Sequence, residues 1–86
     1  MATIILRGAL KQMAGGRSEH EAGGGTVGEA LGELERAHRP LNGWILDERG
    51  VVRRHIKVFV NGDEARDDTP VAPGDRVDVL PAISGG

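Results

Sequence analysis

An amphipathic helix over residues 26–38 is the clearest pattern in the order of apolar and polar positions. From Val27 onwards, apolar residues recur at spacings of three and four, which is typical of a helix with one buried face. Thr26, with Glu29 three residues later, makes a capping box at the start, and Pro40 ends the helix. The charged residues between the apolar positions are expected to face solvent: Glu29, Glu33, Glu35 and Arg36.

Apolar runs before and after the helix predict the strands of a sheet. Short β-branched or alternating runs predict three strands, over residues 2–7, 56–60 and 76–80. A return strand over residues 17–22 is less regular, because only His20 and Ala22 alternate towards a core. Asn61-Gly62 predicts a tight turn after the strand that begins at residue 56.

The order of these elements is strand, strand, helix, strand, a short strand or turn, and strand. It predicts an α+β fold with a mixed sheet of four to five strands and one amphipathic helix packed on one face. The long crossover through the helix allows the first and last strands to pair in parallel at the centre. Trp44, Ile45 and Leu46 are expected to cap the core. The domain would cover residues 1–82, with residues 83–86 as a flexible tail.

The glycine content raises the question of whether the chain folds at all. Fourteen of the 86 residues are glycine, against an average usage of roughly 7%. Leu, Ile, Val and Phe nevertheless make up roughly a quarter of the chain, above the ~20% that marks disordered sequences. Gly28 and Gly32 each weaken the predicted helix by about 1 kcal/mol relative to alanine, so tertiary packing must hold it.

Composition and charge exclude several classes of protein. Without cysteine there is no disulfide, zinc–thiolate site or cysteine nucleophile. A net charge of -2 argues against nucleic acid as a partner. No export signal opens the chain, and no apolar run reaches the ~18–20 residues that cross a membrane. We therefore expect a cytoplasmic protein with neither a membrane nor a nucleic acid as its partner.

The polar residues offer no catalytic or metal site by their spacing. The three histidines, His20, His38 and His55, lie on different elements, so half-exposed structural roles are favoured over metal binding. Neither Ser18 nor Ser84 lies in a strand–turn–helix nucleophile motif, so a serine hydrolase is disfavoured. Arg53 and Arg54 belong to a basic cluster with Arg49 and Lys57. This cluster is either a solvated face or a docking patch for an acidic partner.

The C-terminal residues differ from an ordinary terminus. Residues 81–86 run directly on from the last predicted strand, carry no charged side chain and end in Gly85-Gly86. Glycine has no Cβ and adopts many backbone conformations, so such an end can pass through a narrow channel and present its carboxylate to another active site. A frayed terminus is the alternative interpretation.

Several stretches together resemble the ubiquitin-like sulfur carriers, which have the β-grasp fold. The resemblance covers nearly the whole chain and rests on the order of elements and on three motifs: Thr26-Val27-Gly28-Glu29-Ala30-Leu31, Ile56-Lys57-Val58-Phe59-Val60-Asn61-Gly62 and Leu80-Pro81-Ala82-Ile83-Ser84-Gly85-Gly86. The family includes the small subunit of molybdopterin synthase, the thiamine-pathway carrier and the carrier of cysteine biosynthesis. Among these, the chain most resembles the carrier of cysteine biosynthesis. His20 departs from the pattern, because an apolar residue is expected there.

The resemblance implies a carrier rather than an enzyme. An E1-like adenylating and sulfurtransferase enzyme would use ATP to activate the carboxylate of Gly86, which would then become a thiocarboxylate. The carrier itself would bind no cofactor, and a sulfur-accepting synthase would take the sulfur. Phe59 and Leu80 would belong to an apolar docking patch on the exposed sheet face, although core packing is the favoured interpretation for Phe59. The residues that would enter a partner's channel are Ala82, Ile83, Ser84 and Gly85.

Two other functions stay open alongside the carrier. A ubiquitin-like modifier would form an isopeptide between Gly86 and a lysine of a target protein, after the same activation. A small regulatory β-grasp module would bind RNA or a partner domain, but the acidic balance and the scarcity of aromatic residues count against base stacking. The pathway that receives the sulfur also stays open among cysteine, molybdopterin, thiamine and a secondary metabolite, with the cysteine type favoured.

Overall fold

The computed structural model describes residues 1–81 of the chain. These residues form a five-stranded mixed sheet with a long helix against one face. The elements in chain order are β1 (Ala2–Leu6), α1 (Ala9–Met13), β2 (Glu19–Ala22), α2 (Val27–Ala37), a 3-10 turn (Arg39–Leu41), β3 (Ile56–Val60), β4 (Asp63–Glu64) and β5 (Arg76–Pro81). The predicted α+β class and β-grasp order are confirmed. The domain boundary at residue 82 and the predictions for residues 82–86 lie outside the described residues.

The strands lie in the order β2-β1-β5-β3-β4. β1 and β5 are parallel at the centre, with Ile4 opposite Val77, and the other neighbouring strands are antiparallel. The parallel pairing that the helical crossover predicted is therefore present. Asn61 and Gly62 both have positive φ, 51° and 90°, so the two-residue turn between β3 and β4 is of the kind the sequence predicted.

The core fills the space between the sheet and α2. Its largest fully buried side chains are Ile4, Leu6, Val27, Leu31, Leu41, Ile45, Val58, Val77 and Val79. Those in the central strands alternate and those in α2 recur at helical spacing, which is why hydrophobic periodicity identified both kinds of element.

The start of α2 is capped as predicted. The Oγ1 atom of Thr26 accepts a hydrogen bond from the backbone N–H of Glu29 at 3.2 Å. The return bond of the capping box reaches one residue further back, since Gly25 N donates to Oε1 of Glu29 at 2.7 Å. Glu33 also satisfies the preceding loop, because Gly23 N donates to its Oε1 at 3.0 Å. The glycine-rich segment before the helix is thus fixed by two carboxylates.

The prediction that Glu35 faces solvent is wrong. Glu35 is only 7% exposed, and its Oε2 accepts hydrogen bonds from Ile45 N at 3.0 Å and Leu46 N at 2.9 Å. The carboxylate therefore satisfies two backbone donors of the connection that covers this part of α2. Helical periodicity could not reveal this, because the partners are backbone groups ten and eleven residues away.

The expected apolar cap on the core is formed by Ile45 and Leu46 but not by Trp44, which is 52% exposed. Trp44 N donates to the carbonyl of Leu41 at 2.9 Å, in a turn where Gly43 has a φ of 86°. Leu41 and Ile45, on either side of this turn, are fully buried and fill the core. The turn leaves the indole between them directed outwards, so the prediction for Trp44 is wrong.

The predicted return strand is present as β2. Its polar residue His20, at a position where an apolar residue is expected, is buried with a hydrogen-bond partner. His20 is 7% exposed, and its Nε2 lies 2.9 Å from the carbonyl oxygen of Arg17. Its ring meets the ring of His38 edge-on, with centroids 4.8 Å apart. A local hydrogen bond therefore satisfies this buried polar ring. Among the histidines, His20 is more buried than predicted, His38 is half-buried and His55 is exposed.

Candidate functional site

Pro81 is the last residue of β5 and the last residue that the structure describes. Pro81 pairs with Ile56 at the start of β3. Proline is unusual in a central strand because it lacks a donor. Arg7 N donates to Val79 O at 3.1 Å, so in this parallel register the nitrogen of Pro81 faces the carbonyl of Arg7. Proline has no N–H to donate there, and the pairing of β5 with β1 ends at Leu6 and Val79.

The sheet face opposite α2 carries the candidate docking surface. Ile5, Asp78 and Phe59 lie side by side in one row across β1, β5 and β3, and Leu80 pairs with Lys57 in the next row. Phe59 and Leu80 are half-buried on this face. The favoured interpretation of Phe59 as a core residue is therefore wrong: its neighbours Val58 and Val60 take the inward side, and alternation turns Phe59 outwards.

Two residues of this outer face were missed by the sequence reasoning. Ile5 alternates with the buried Ile4 and Leu6, so it lies outside although it belongs to an apolar run. Asp78 sits between Ile5 and Phe59 and forms ion pairs with Arg7 and with Arg76 of its own strand. The alternation of β1 carried a signal for Ile5. Nothing local revealed that Asp78 would stand at the centre of the row, because that position depends on the pairing of three strands.

Ion pairs lie beside the apolar residues of the outer face. Asp78 lies 3.2 Å from Nη2 of Arg7 and 3.2 Å from Nε of Arg76, and Lys57 Nζ lies 3.3 Å from Glu64. Pairs at an exposed surface contribute only about 0–1 kcal/mol each to stability. Their consequence is the pattern of charge that a docking partner meets.

The predicted basic cluster is divided by the structure. Arg49 is paired with Asp47 at 2.7 Å, and Lys57 is paired with Glu64. Hydrogen bonds from the Arg49 side chain and from the Val51 N–H lower the pKa of Asp47 to about 2. Arg53 is tied to the connection before β3, since its N donates to Ile45 O at 2.9 Å. Arg54 is exposed beside it.

The grooves on the surface are open to solvent, and the described residues contain no cluster of side chains suited to binding a metal ion. A groove of about 640 Å³ is lined by β2 and the turn before it, beside His20. Within residues 1–81 no three His, Cys, Asp or Glu side chains come together as metal ligands. No helix in that part of the chain is long and apolar enough to cross a membrane. The features that stand out are therefore the outer face and the exit of the chain at Pro81.

A β-grasp sheet whose central strand runs on to a C-terminal Gly-Gly pair is the architecture of the ubiquitin-like carriers and modifiers. The family model described as the ThiS family matches residues 4–86. The chain therefore belongs to the ThiS family, in agreement with the resemblance to ubiquitin-like sulfur carriers seen in the sequence.

Individual relatives agree with this placement. The sulfur carrier protein CysO of Mycobacterium tuberculosis is 29% identical over 90 residues, covering 98% of this chain and 97% of the relative. Small archaeal modifier protein 1 of Haloferax volcanii is 35% identical over 79 residues, covering 90% and 91%. CysO in the Amycolatopsis orientalis BexX/CysO complex superimposes with a TM-score of 0.87, at 29% identity and full coverage of both chains. The relatives are thus sulfur carriers and a ubiquitin-like modifier.

Proposed function

We propose that this protein carries sulfur on the carboxylate of Gly86. A carboxylate carbon is a poor electrophile, so an adenylating enzyme first joins a Gly86 oxygen to the α-phosphorus of ATP and pyrophosphate leaves. Hydrosulfide, or the terminal sulfur of an enzyme persulfide, then attacks the acyl carbon and AMP leaves. On the persulfide route the first product is an acyl disulfide, and a second thiol attacks its S–S bond to release the thiocarboxylate and form a disulfide. The product is a thiocarboxylate, whose sulfur attacks a substrate held by a second enzyme.

The observation that carries the proposal is the course of β5. This central strand lies beside the apolar residues of the outer face and ends at Pro81, five residues before Gly86. The family match continues through those five residues. A partner that docks on the outer face would therefore receive the tail, with residues 82–85 in its channel.

The protein's own residues would serve recognition in this reaction. Phe59, Leu80 and Ile5 supply apolar contact area on the outer face, and aromatic or aliphatic anchors dominate binding energy at such surfaces. Arg53 and Arg54 would add charge recognition beside the exit of the chain. ATP would be a substrate of the activating enzyme, and the carrier would contribute no general base or metal. The sulfur-accepting partner is supported by the BexX/CysO complex of the similar carrier.

A second candidate is conjugation of Gly86 to lysines of target proteins. The similarity to small archaeal modifier protein 1 favours this alternative. Both functions begin with the same acyl-adenylate, and they diverge in whether sulfur or a lysine amine attacks it.

The decisive experiment is intact mass spectrometry of the protein co-expressed with the adenylating enzyme of its source organism. Replacement of one C-terminal oxygen by sulfur supports the carrier, whereas lysine-linked adducts on other proteins support the modifier. Deletion of Gly86 is expected to abolish activation with unchanged thermal unfolding. Gly86→Ala, which keeps a carboxylate but adds a methyl group, should retain slower activation. Adenylation of the deleted protein at the normal rate would contradict the proposal.

A further inference from the structure

A groove of about 510 Å³ beside β3 is lined by three arginines. Arg53 and Arg54 line it from the segment before β3, and Arg66 lines it from the segment after β4. Val52 and Ala65 give the groove apolar walls, and Asp67 is the one acidic side chain among its described lining residues. We name this feature the arginine groove.

The arginine groove concentrates positive charge in a protein whose net charge is -2. Arg54 and Arg66 are exposed, and neither forms a salt bridge within residues 1–81. Other cations of the same region, Arg49 and Lys57, are held by Asp47 and Glu64. The groove therefore offers guanidinium groups that the described part of the chain leaves available for an external anion.

The arginine groove lies next to the exit of the chain. Ile56 lines the groove and pairs with Pro81 in the adjacent strand. Paired residues are about 5 Å apart, and Arg54 lies two residues from Ile56, so Arg54 is within roughly 12 Å of Pro81. The five residues after Pro81 reach at most about 17 Å when fully extended. An enzyme that takes Gly86 into its active site must therefore bring that site within about 17 Å of Pro81, in the neighbourhood of the groove.

We propose that the arginine groove binds an acidic segment at the entrance of the enzyme that receives the tail. Guanidinium groups form paired hydrogen bonds with carboxylates, so an Asp- or Glu-rich strand or loop is the matching chemistry. The apolar walls would accept the aliphatic parts of such side chains. The described residues that line the groove include no aromatic side chain to stack a nucleobase, which favours an acidic protein over nucleic acid. The identity of the partner rests on the proposed function. The preference of the groove for anions rests on its arginines alone.

The groove's preference is tested first without any enzyme. Titration of a short oligoglutamate peptide into the labelled full-length protein should shift amide NMR signals of residues 52–56 and 65–67. The double variant Arg54→Glu/Arg66→Glu should lose these shifts. Arg17→Glu, an exposed arginine beside β2, should keep them. Absence of shifts in the groove, or tighter binding of an oligouridylate at the same residues, would overturn the proposal.

The partner is tested by pyrophosphate release with the adenylating enzyme at varied carrier concentration. The double variant is expected to raise KM roughly tenfold at low salt with kcat unchanged, because charges at an interface rim act mainly on association. Added salt should raise the wild-type KM towards that of the variant, and Arg17→Glu should behave as wild type. Equal KM values for the double variant and Arg17→Glu would refute docking through the groove. Failure of the wild type to release pyrophosphate would refute the proposed function instead, while the peptide titration still decides the groove.

Discussion

Gly8 and Pro81 are in close contact where the central strand ends: a Cβ atom at Gly8 would lie 3.2 Å from Cγ of Pro81. Gly8 also has a φ of 62°, a left-handed conformation that favours glycine. Because Gly8 has no side chain, there is room for the proline ring beside it. This contact packs the end of β5 against the residue that precedes α1.

Substitution of Gly8 by alanine is expected to destabilise the protein by roughly 1–3 kcal/mol, because backbone strain adds to the contact with Pro81. Gly15→Ala is the matched control, since Gly15 also has positive φ but no atom lies within 4 Å of its Cβ position. Urea unfolding of both variants separates contact from strain. Equal losses in the two variants would show that the Pro81 contact contributes nothing.

Glu35 should be among the residues whose truncation is most destabilising. Glu35→Ala leaves the N–H groups of Ile45 and Leu46 without their acceptor, and we expect a loss of roughly 3 kcal/mol in the free energy of unfolding. Glu35→Gln keeps one acceptor oxygen and should lose less. Chemical denaturation measures both against Glu48→Ala, an exposed control. A Glu35→Ala variant as stable as this control would contradict the role of the carboxylate.

The two glycines inside α2 should respond oppositely to alanine. At Gly28 the backbone N donates to Asp67 O at 2.8 Å, and a Cβ would lie 3.1 Å from that same oxygen. At Gly32 the nearest atoms are side-chain atoms at 3.5 and 3.8 Å. Gly32→Ala should therefore stabilise the protein by about 1 kcal/mol through helix propensity, whereas Gly28→Ala should not. Thermal unfolding of the pair checks this, and equal gains at both positions would rule out a close-approach role for Gly28.

Asp47 should make stability depend on pH in the acid range. Its pKa is lowered from 3.8 to about 2, first by the Arg49 side chain and then by the Val51 N–H. A lowered pKa means that the carboxylate's stabilisation is fully present above pH 3.8 and is lost as pH falls through about 2. Asp47→Asn should therefore be less stable than wild type at neutral pH.

The difference between Asp47→Asn and wild type should shrink between pH 4 and pH 2, as measured by urea unfolding at a series of pH values. Asp68→Asn, at an exposed position, serves as the control and should show no such narrowing. A gap for Asp47→Asn that stays constant down to pH 2 would exclude ionisation of this carboxylate as its source.

The sequence by itself determined the order of the elements, the start of α2 and the Asn61-Gly62 turn. Each depends on residues close together in the chain: spacing of apolar side chains, a capping hydroxyl, and residues that tolerate positive φ. The Gly85-Gly86 end, and the resemblance of the chain to ubiquitin-like sulfur carriers, could likewise be recognised from the sequence. The family match confirms the resemblance, and the role of the tail stays a prediction.

Only the tertiary structure decided which surfaces these elements create. Local patterns left Glu35 on the polar side of its helix and favoured the core for Phe59, because they do not show which distant segments meet. The row of Ile5, Asp78 and Phe59 requires three strands in register, and the arginine groove requires the segments before β3 and after β4 to lie together. Long-range pairing sets these neighbours, so the docking chemistry becomes visible only when the sheet is formed.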